Sequence, residues 1–209
     1  MKKIILFTAF MMLSAISQGY SQNLRIGPKI GVNFANTFED PSYNSSNRTG
    51  LIIGGVLDIR ISDEFYIQPE AEYIMKGNQF TNGIGNTVKY KLDYIQFPVY
   101  FKFRFPITGS SLHPFILGGP TFGFNVNAQS EESNRTTSVT TDISSDIESM
   151  DVGLDIGGGL EFPIAPNASM YVSLMYGAGI SNVVKSTDFY YNNLKNYSIK
   201  LQAAVLFGL

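Results

Sequence analysis

The sequence predicts an all-β chain of 209 residues that closes into an eight-stranded antiparallel up-and-down transmembrane β-barrel. Three observations carry this. Beyond the first twenty-odd residues, apolar side chains alternate with polar or small ones, the period-two signature of strands with two unlike faces. The apolar face carries no charge, whereas the opposite face holds a nearly balanced set of acids and bases. Short and long connections alternate, so every second link falls at the same end of the sheet.

The first element is an address. Met1-Lys2-Lys3 precedes an almost wholly apolar run from Ile4 to Ile16, followed by Ser17-Gln18-Gly19-Tyr20-Ser21-Gln22. Gly19 and Ser21 stand at the −3 and −1 positions of a cut between Ser21 and Gln22, the layout of a secretory signal peptide. The run is too short for a transmembrane helix, which needs roughly 18 or more apolar residues. The expected organisation is therefore a signal peptide over 1–21 and a barrel domain over 22–209.

The strands follow in order. Leu24, Ile26, Pro28, Ile30, Val32 and Phe34 share one face, with Arg25 and Lys29 opposite. Leu51, Ile53, Leu57, Ile59 and Ile61 oppose Asp58 and Arg60; Phe65, Ile67, Ala71, Tyr73 and Met75 oppose Glu70, Glu72 and Lys76. Ile95, Phe97, Val99, Phe101, Phe103 and Phe105 oppose Gln96, Tyr100, Lys102 and Arg104. Pro114, Ile116, Phe122, Phe124 and Val126 form the fifth set. Met150, Val152, Leu154, Ile156, Leu160 and Phe162 oppose Asp151, Asp155 and Glu161. Met170, Val172, Leu174, Tyr176 and Ile180 form the seventh, and Tyr197, Ile199, Leu201, Val205, Phe207 and Leu209 the last, with Lys200 and Gln202 between them. Short links fall at 62–64, 106–111 and 163–168; long ones at 36–49, 77–93, 127–149 and 181–195.

Two irregularities carry expectations. Pro28, Pro69, Pro98, Pro114 and Pro120 lie within strand patterns, where each removes a ladder donor, and predict bulges or strand ends. The fourth strand changes parity near Tyr94–Ile95. Tyr90, Leu92 and Tyr94 are expected outward below the change, with a bulge absorbing it.

Composition excludes much chemistry. No cysteine rules out disulfides, thiolate metal sites and cysteine nucleophiles; one histidine rules out sites built on two imidazoles. A net charge of −2 argues against a nucleic-acid surface.

The mature chain resembles the PorT-like outer-membrane β-barrel domain family common in Bacteroidota. The residues that carry the likeness are Ile26-Gly27-Pro28-Lys29-Ile30-Gly31-Val32-Asn33, Ile67-Gln68-Pro69-Glu70-Ala71-Glu72-Tyr73 with Lys76-Gly77, Tyr94-Ile95-Gln96-Phe97-Pro98, Gly118-Gly119-Pro120 and Asp155-Ile156-Gly157-Gly158-Gly159. Gln96 stands where the family usually has an acid, and the chain ends on Leu209 where an aromatic is usual. The resemblance implies an eight-stranded barrel inserted by the outer-membrane assembly machinery, with no enzymatic activity.

The candidate site is the charged face. Arg25, Lys29, Arg60, Lys76, Lys102, Arg104 and Lys200 stand against Asp58, Glu70, Glu72, Asp151, Asp155 and Glu161. Such balance suits an enclosed interior, where buried charges must be paired. An eight-stranded barrel is just wide enough for its own side chains, so these charges read as a structural plug rather than a pore lining. The glycines on that face (Gly27, Gly31, Gly54, Gly153, Gly157 and Gly159) are expected to make room for Arg and Lys stems.

Other features carry less. His113 follows a short turn, near the rim where the termini lie, without the nucleophile and acid that catalysis needs. The acidic, Ser/Thr-rich segment 128–149 lacks the fixed spacing of a calcium loop and reads as a mobile surface loop. Phe34, Phe65, Tyr66, Tyr73, Phe97, Phe105, Phe122, Phe124, Phe162, Tyr176, Tyr197 and Phe207 lie towards strand ends and suggest interfacial girdles. Phe189-Tyr190-Tyr191 marks the last long loop as either a recognition tip or packing over the mouth.

The expected role is structural or interactive: a bacterial outer-membrane barrel with periplasmic termini and four loops outside, without cofactor or metal. Its expected partners are outer-membrane lipid, the assembly machinery and an envelope protein complex. The alternatives are a narrow channel for ions or small solutes, and a secreted soluble lipocalin-like barrel with its apolar face inside.

Overall fold

The computed structural model describes residues 24–38, 45–81, 85–134, 137–185 and 194–209. It holds nine strands: β1 Leu24–Phe38, β2 Ser46–Arg60, β3 Phe65–Thr81, β4 Thr87–Arg104, β5 His113–Ser133, β6 Ser138–Asp142, β7 Met150–Ala165, β8 Ala168–Gly179 and β9 Lys195–Gly208. Each pairs antiparallel with its neighbours. β1 pairs with both β2 and β9, and β5 with both β4 and β7, so eight strands close into a ring. Closure leaves no unpaired edge in the wall, as a hydrocarbon environment requires.

The alternation sets which side each residue takes. Ile30, Ile53, Phe101, Ile116, Leu174 and Leu201 lie bare on the outer wall, and Ile156 in mid-β7 reaches 68% exposure. Among the described residues, the termini and the short links gather at one end of the ring, here the turn end. The other is the loop end. Aromatics cluster at both: Phe38 packs against Tyr197 with centroids 4.3 Å apart and rings tilted by 33°, and Phe103 meets Phe105 edge-on at 5.1 Å.

Several expectations need correction. The strands run further into the long links than alternation showed, because backbone pairing continues where the side chains turn polar. The segment 128–149 is not simply a loop: β5 extends to Ser133 and folds back through β6, with Gln129 opposite Asp142 and Ser133 opposite Ser138.

β4 does not change parity. From Leu92 to Lys102 its even residues face inward, and Leu92 and Tyr94 are buried inside the barrel, not outside it. A register shift does occur at Asp93/Tyr94, but the extra residue, Val126, belongs to β5: Asn127 pairs with Asp93 and Asn125 with Tyr94.

Pro28, Pro69, Pro98, Pro114 and Pro120 do not make bulges. Pro114 sits at the start of β5, as a strand end. At Pro28, Pro69 and Pro98 the ladder omits nearby pairs and then resumes in the same register. A missing N–H removes single bonds, while the closed ring fixes the register on either side.

The inward glycines serve the backbone more than the charged stems. A Cβ at Gly27 would lie 1.6 Å from the Val205 carbonyl oxygen, and one at Gly159 would lie 2.1 Å from that of Val172. These positions let tilted neighbouring strands approach closely.

Candidate functional site

The alternation that bares apolar side chains outside drives the remaining side chains into the lumen. They fill it in layers. Nearest the turn end, Glu161 of β7 accepts hydrogen bonds from Arg25 of β1 at 2.5 Å and Lys102 of β4 at 2.6 Å, and lies 3.5 Å from Arg104. Arg25 also pairs with Asp58 of β2. The Lys102 side chain is fully buried, with its Nζ 4.7 Å from the Phe115 ring centroid and 5.1 Å from that of Tyr171. Aromatic faces thus share the cation with the carboxylates.

One layer deeper, Lys29 of β1 pairs with both Glu70 and Glu72 of β3. Gln68 donates to Glu70 at 2.7 Å and Gln96 to Glu72 at 3.3 Å. Beside them, Asp155 of β7 accepts from Lys200 at 2.6 Å and from the Tyr100 hydroxyl at 2.5 Å. Higher again, Asp151 accepts from Lys76 and Asn196, each at 3.0 Å.

Towards the loop end of the lumen an apolar cluster sits beside the buried polar residues Asn36, Thr37, Asn78 and Asn196. Ile52, Ile74, Leu92, Tyr94 and Ala128 project inward from β2 to β5, and Ile147 and Val183 fold in from two different loops to pack on them. Those loops are pinned together: Glu148 N–H donates to the Val183 carbonyl at 2.8 Å, and Ile147 bridges Val184.

Of the charges singled out from the sequence, the structure brings Arg25, Lys29, Asp58, Glu70, Glu72, Lys76, Lys102, Arg104, Asp151, Asp155, Glu161 and Lys200 into this interior. Arg60 ends β2 at the rim, where it pairs with Asp63 and is substantially exposed. The proposed cleavage residues Ser21 and Gln22, and the cluster Phe189-Tyr190-Tyr191, lie outside the described residues.

Sequence reasoning missed three features. Tyr66, assigned to a girdle, is buried inside, with the guanidinium carbons of Arg104 and Arg25 at 5.0 and 5.3 Å from its ring centroid. Its even position on β3, alongside Gln68 and Glu70, was the available signal. Tyr171 and Met175 line the lumen by the same parity rule. An ion pair also sits on the face of β4 that carries Ile95 and Phe97: Asp93 meets Arg48 at 3.2 Å and accepts from the Tyr73 hydroxyl at 2.9 Å and Asn127 at 3.0 Å.

Beyond the wall, Glu131 in the β5 extension pairs with Lys91 of β4 and accepts from Ser138 of β6. The Lys91 ammonium holds the Glu131 carboxyl below its ordinary range. Among the described residues no three His, Asp or Glu side chains converge to hold a metal.

Residues 17–178 match the family model described as outer membrane protein beta-barrel domain. The chain belongs to that outer membrane beta-barrel family. Its place is therefore the bacterial outer membrane, where the bare apolar wall meets lipid. This is the inverse of the arrangement a lipocalin-like soluble barrel needs. Among solved structures, this outer membrane barrel is similar to OprG of Pseudomonas aeruginosa (TM-score 0.55, 10% identity, covering 89% of this chain and 95% of that one). It is likewise similar to Neisserial surface protein A (TM-score 0.50, 12% identity, covering 89% and 97%). Likeness at such identity establishes the shared fold. No curated protein matches the chain.

Proposed function

We propose that this outer membrane barrel is a non-enzymatic, membrane-anchored scaffold that displays four loops outside and works by contact with an envelope protein complex. The single observation behind this is the filled lumen. Lys29, Lys102 and Lys200 are buried and ion-paired, and the apolar cap under Ile147 and Val183 lies above them. An interior packed in this way leaves the loops and the rims as working surfaces. The test is conductance of the purified protein in a planar bilayer. No steps above leak are expected; discrete, reproducible steps would overturn the scaffold reading in favour of a narrow channel.

The reading includes export by a signal peptide over 1–21, insertion by the outer-membrane assembly machinery and termini in the periplasm. Terminal sequencing of the membrane-extracted protein is expected to begin at Gln22. The motifs around Ile26–Asn33 and Ile67–Tyr73 support placing the chain with the PorT-like barrels of Bacteroidota. Crosslinking from the four loops and the turn-end rim in intact cells is expected to capture a defined envelope protein.

A further inference from the structure

We propose that the turn end of the barrel is a binding site for a small carboxylate with a short apolar body, the C-terminal residue of an extended peptide, gripped by Arg104. The first observation is a cavity of about 250 Å³ that opens there. Arg25, Arg104 and Glu161 form its polar side, and Pro163, Pro166 and Leu206 line it with apolar surface.

The second observation is the charge count beneath it. Counting side chains, three cations, Arg25, Lys102 and Arg104, face two carboxylates, Asp58 and Glu161. Arg25 engages both acids, and Lys102 holds Glu161 at 2.6 Å. Arg104 is left with a 3.5 Å approach to Glu161 and a hydrogen bond to the Asp63 carbonyl at 3.3 Å. Its side chain remains 21% exposed. Among these side chains the surplus positive charge therefore resides on the guanidinium with the longest carboxylate approach, which also lies 5.0 Å from the Tyr66 ring centroid.

The matching surplus acid does not reach it. Glu70 and Glu72 share Lys29 one layer deeper and are tied there by Gln68 and Gln96. An anion entering from the turn end completes the pairing, and a planar guanidinium favours a two-oxygen carboxylate. The walls select further. Proline and leucine surface suits an aliphatic body, which a bare phosphate does not provide. The volume lies just below the usual range for drug-sized ligands, about 300–1,000 Å³, and so suits a ligand of amino-acid size. His113 lines the same cavity, and its Nδ1 has no hydrogen-bond partner among the described residues.

His113 also supplies the probe, because it is the only histidine in the chain. The full mature chain, folded in detergent and purified without a histidine tag, is titrated while the imidazole resonances are followed by NMR. The ligands are N-acetyl-Ala-Ala with a free carboxylate, the same dipeptide as its C-terminal amide, acetate, and inorganic phosphate. The free acid is expected to give saturable shifts. The amide, acetate and phosphate are each expected to bind at least about tenfold more weakly, as loss of a charge-assisted contact or of apolar packing implies.

Arg104→Gln is expected to weaken the free acid by at least about tenfold, and Arg60→Gln to leave it unchanged, since Arg60 pairs with Asp63 at the rim. If Arg104→Gln fails to fold by heat-modifiable gel migration, Arg104→Lys keeps the charge without the fork and is expected to bind more weakly. No saturable shift, equal binding of the amide, or an unaffected Arg104 variant would overturn the site. Acetate or phosphate binding as tightly as the dipeptide acid would overturn the peptide-terminus assignment.

Discussion

Glu161→Gln keeps the side chain's shape and removes the charge on which three cations converge. The side chain is 2% exposed and lies 2.5 Å from Arg25, 2.6 Å from Lys102 and 3.5 Å from Arg104. Without it, the fully buried Lys102 keeps Asp58, 3.8 Å away, as its one carboxylate, beside the Phe115 and Tyr171 rings. Removing one partner of a buried ion pair costs about 3–5 kcal/mol, because the remaining charge is left unpaired. With a urea dependence of about 3 kcal/mol per molar, the upper end for small proteins, the unfolding midpoint falls by roughly 1–2 M. The assay is urea titration in lipid or detergent, with the folded fraction read from heat-modifiable gel migration. Arg60→Gln is the control, because its exposed pair with Asp63 is worth about 0–1 kcal/mol. Adding Lys102→Met to Glu161→Gln is expected to recover part of the loss, since both members of one pair are then gone. If Glu161→Gln shifts the midpoint no more than Arg60→Gln, the paired-interior argument is wrong.

Three further outcomes follow from the same structure. Ile156→Arg places a charge at the most exposed apolar position of β7 and is expected to cost about 2–4 kcal/mol by the same titration; a neutral result would show that this wall does not meet lipid. Gly27→Ala drives a Cβ into the Val205 carbonyl across the β1–β9 seam, and refolding is expected to yield little of the heat-modifiable form; wild-type yield would contradict the close approach. Glu131 has its carboxyl held low by Lys91, so the pair's contribution is present above the unfolded glutamate's range and is lost as pH falls through the lowered one. Protection factors for amide exchange over 129–134 and 137–142, corrected for the intrinsic pH dependence of exchange, are therefore expected to be steady between pH 6 and 8 and to fall only in acid. A fall in protection near neutral pH would exclude this pair as the cause.

The sequence was most legible where the two faces differ in chemistry. Along β1, Ile26, Ile30 and Val32 go out while Arg25 and Lys29 go in, and parity alone sorts them. It fails at Leu92 and Tyr94, because they join an apolar cluster inside the lumen towards the loop end, where hydrophobicity no longer separates inside from outside. Tyr66 misleads for the related reason that an aromatic ring serves equally at a lipid interface and beneath two guanidiniums. The hairpin through β6 is unreadable because Ser138-Val139-Thr140-Thr141-Asp142 is exposed at every position and so carries no alternation. The partners of each charge were also hidden. Parity tells which side of the wall a residue takes, but not its height, and height decides that Arg25 meets Glu161, 136 residues away.

The wiring of those partners bears on how the barrel is assembled. Arg25 and Asp58 join adjacent strands, but Lys29 reaches from β1 to β3, Lys102 from β4 to β7, Lys76 from β3 to β7, and Lys200 from β9 to β7. Three acids of one strand, Asp151, Asp155 and Glu161, thus receive cations from four others. A hairpin-by-hairpin intermediate that lacks β7 would carry Lys76 and Lys102 without these carboxylates, in a groove open on one side. Neutralisation of Lys76, Lys102 and Lys200 therefore waits for β7, which disfavours stable half-built barrels that lack it.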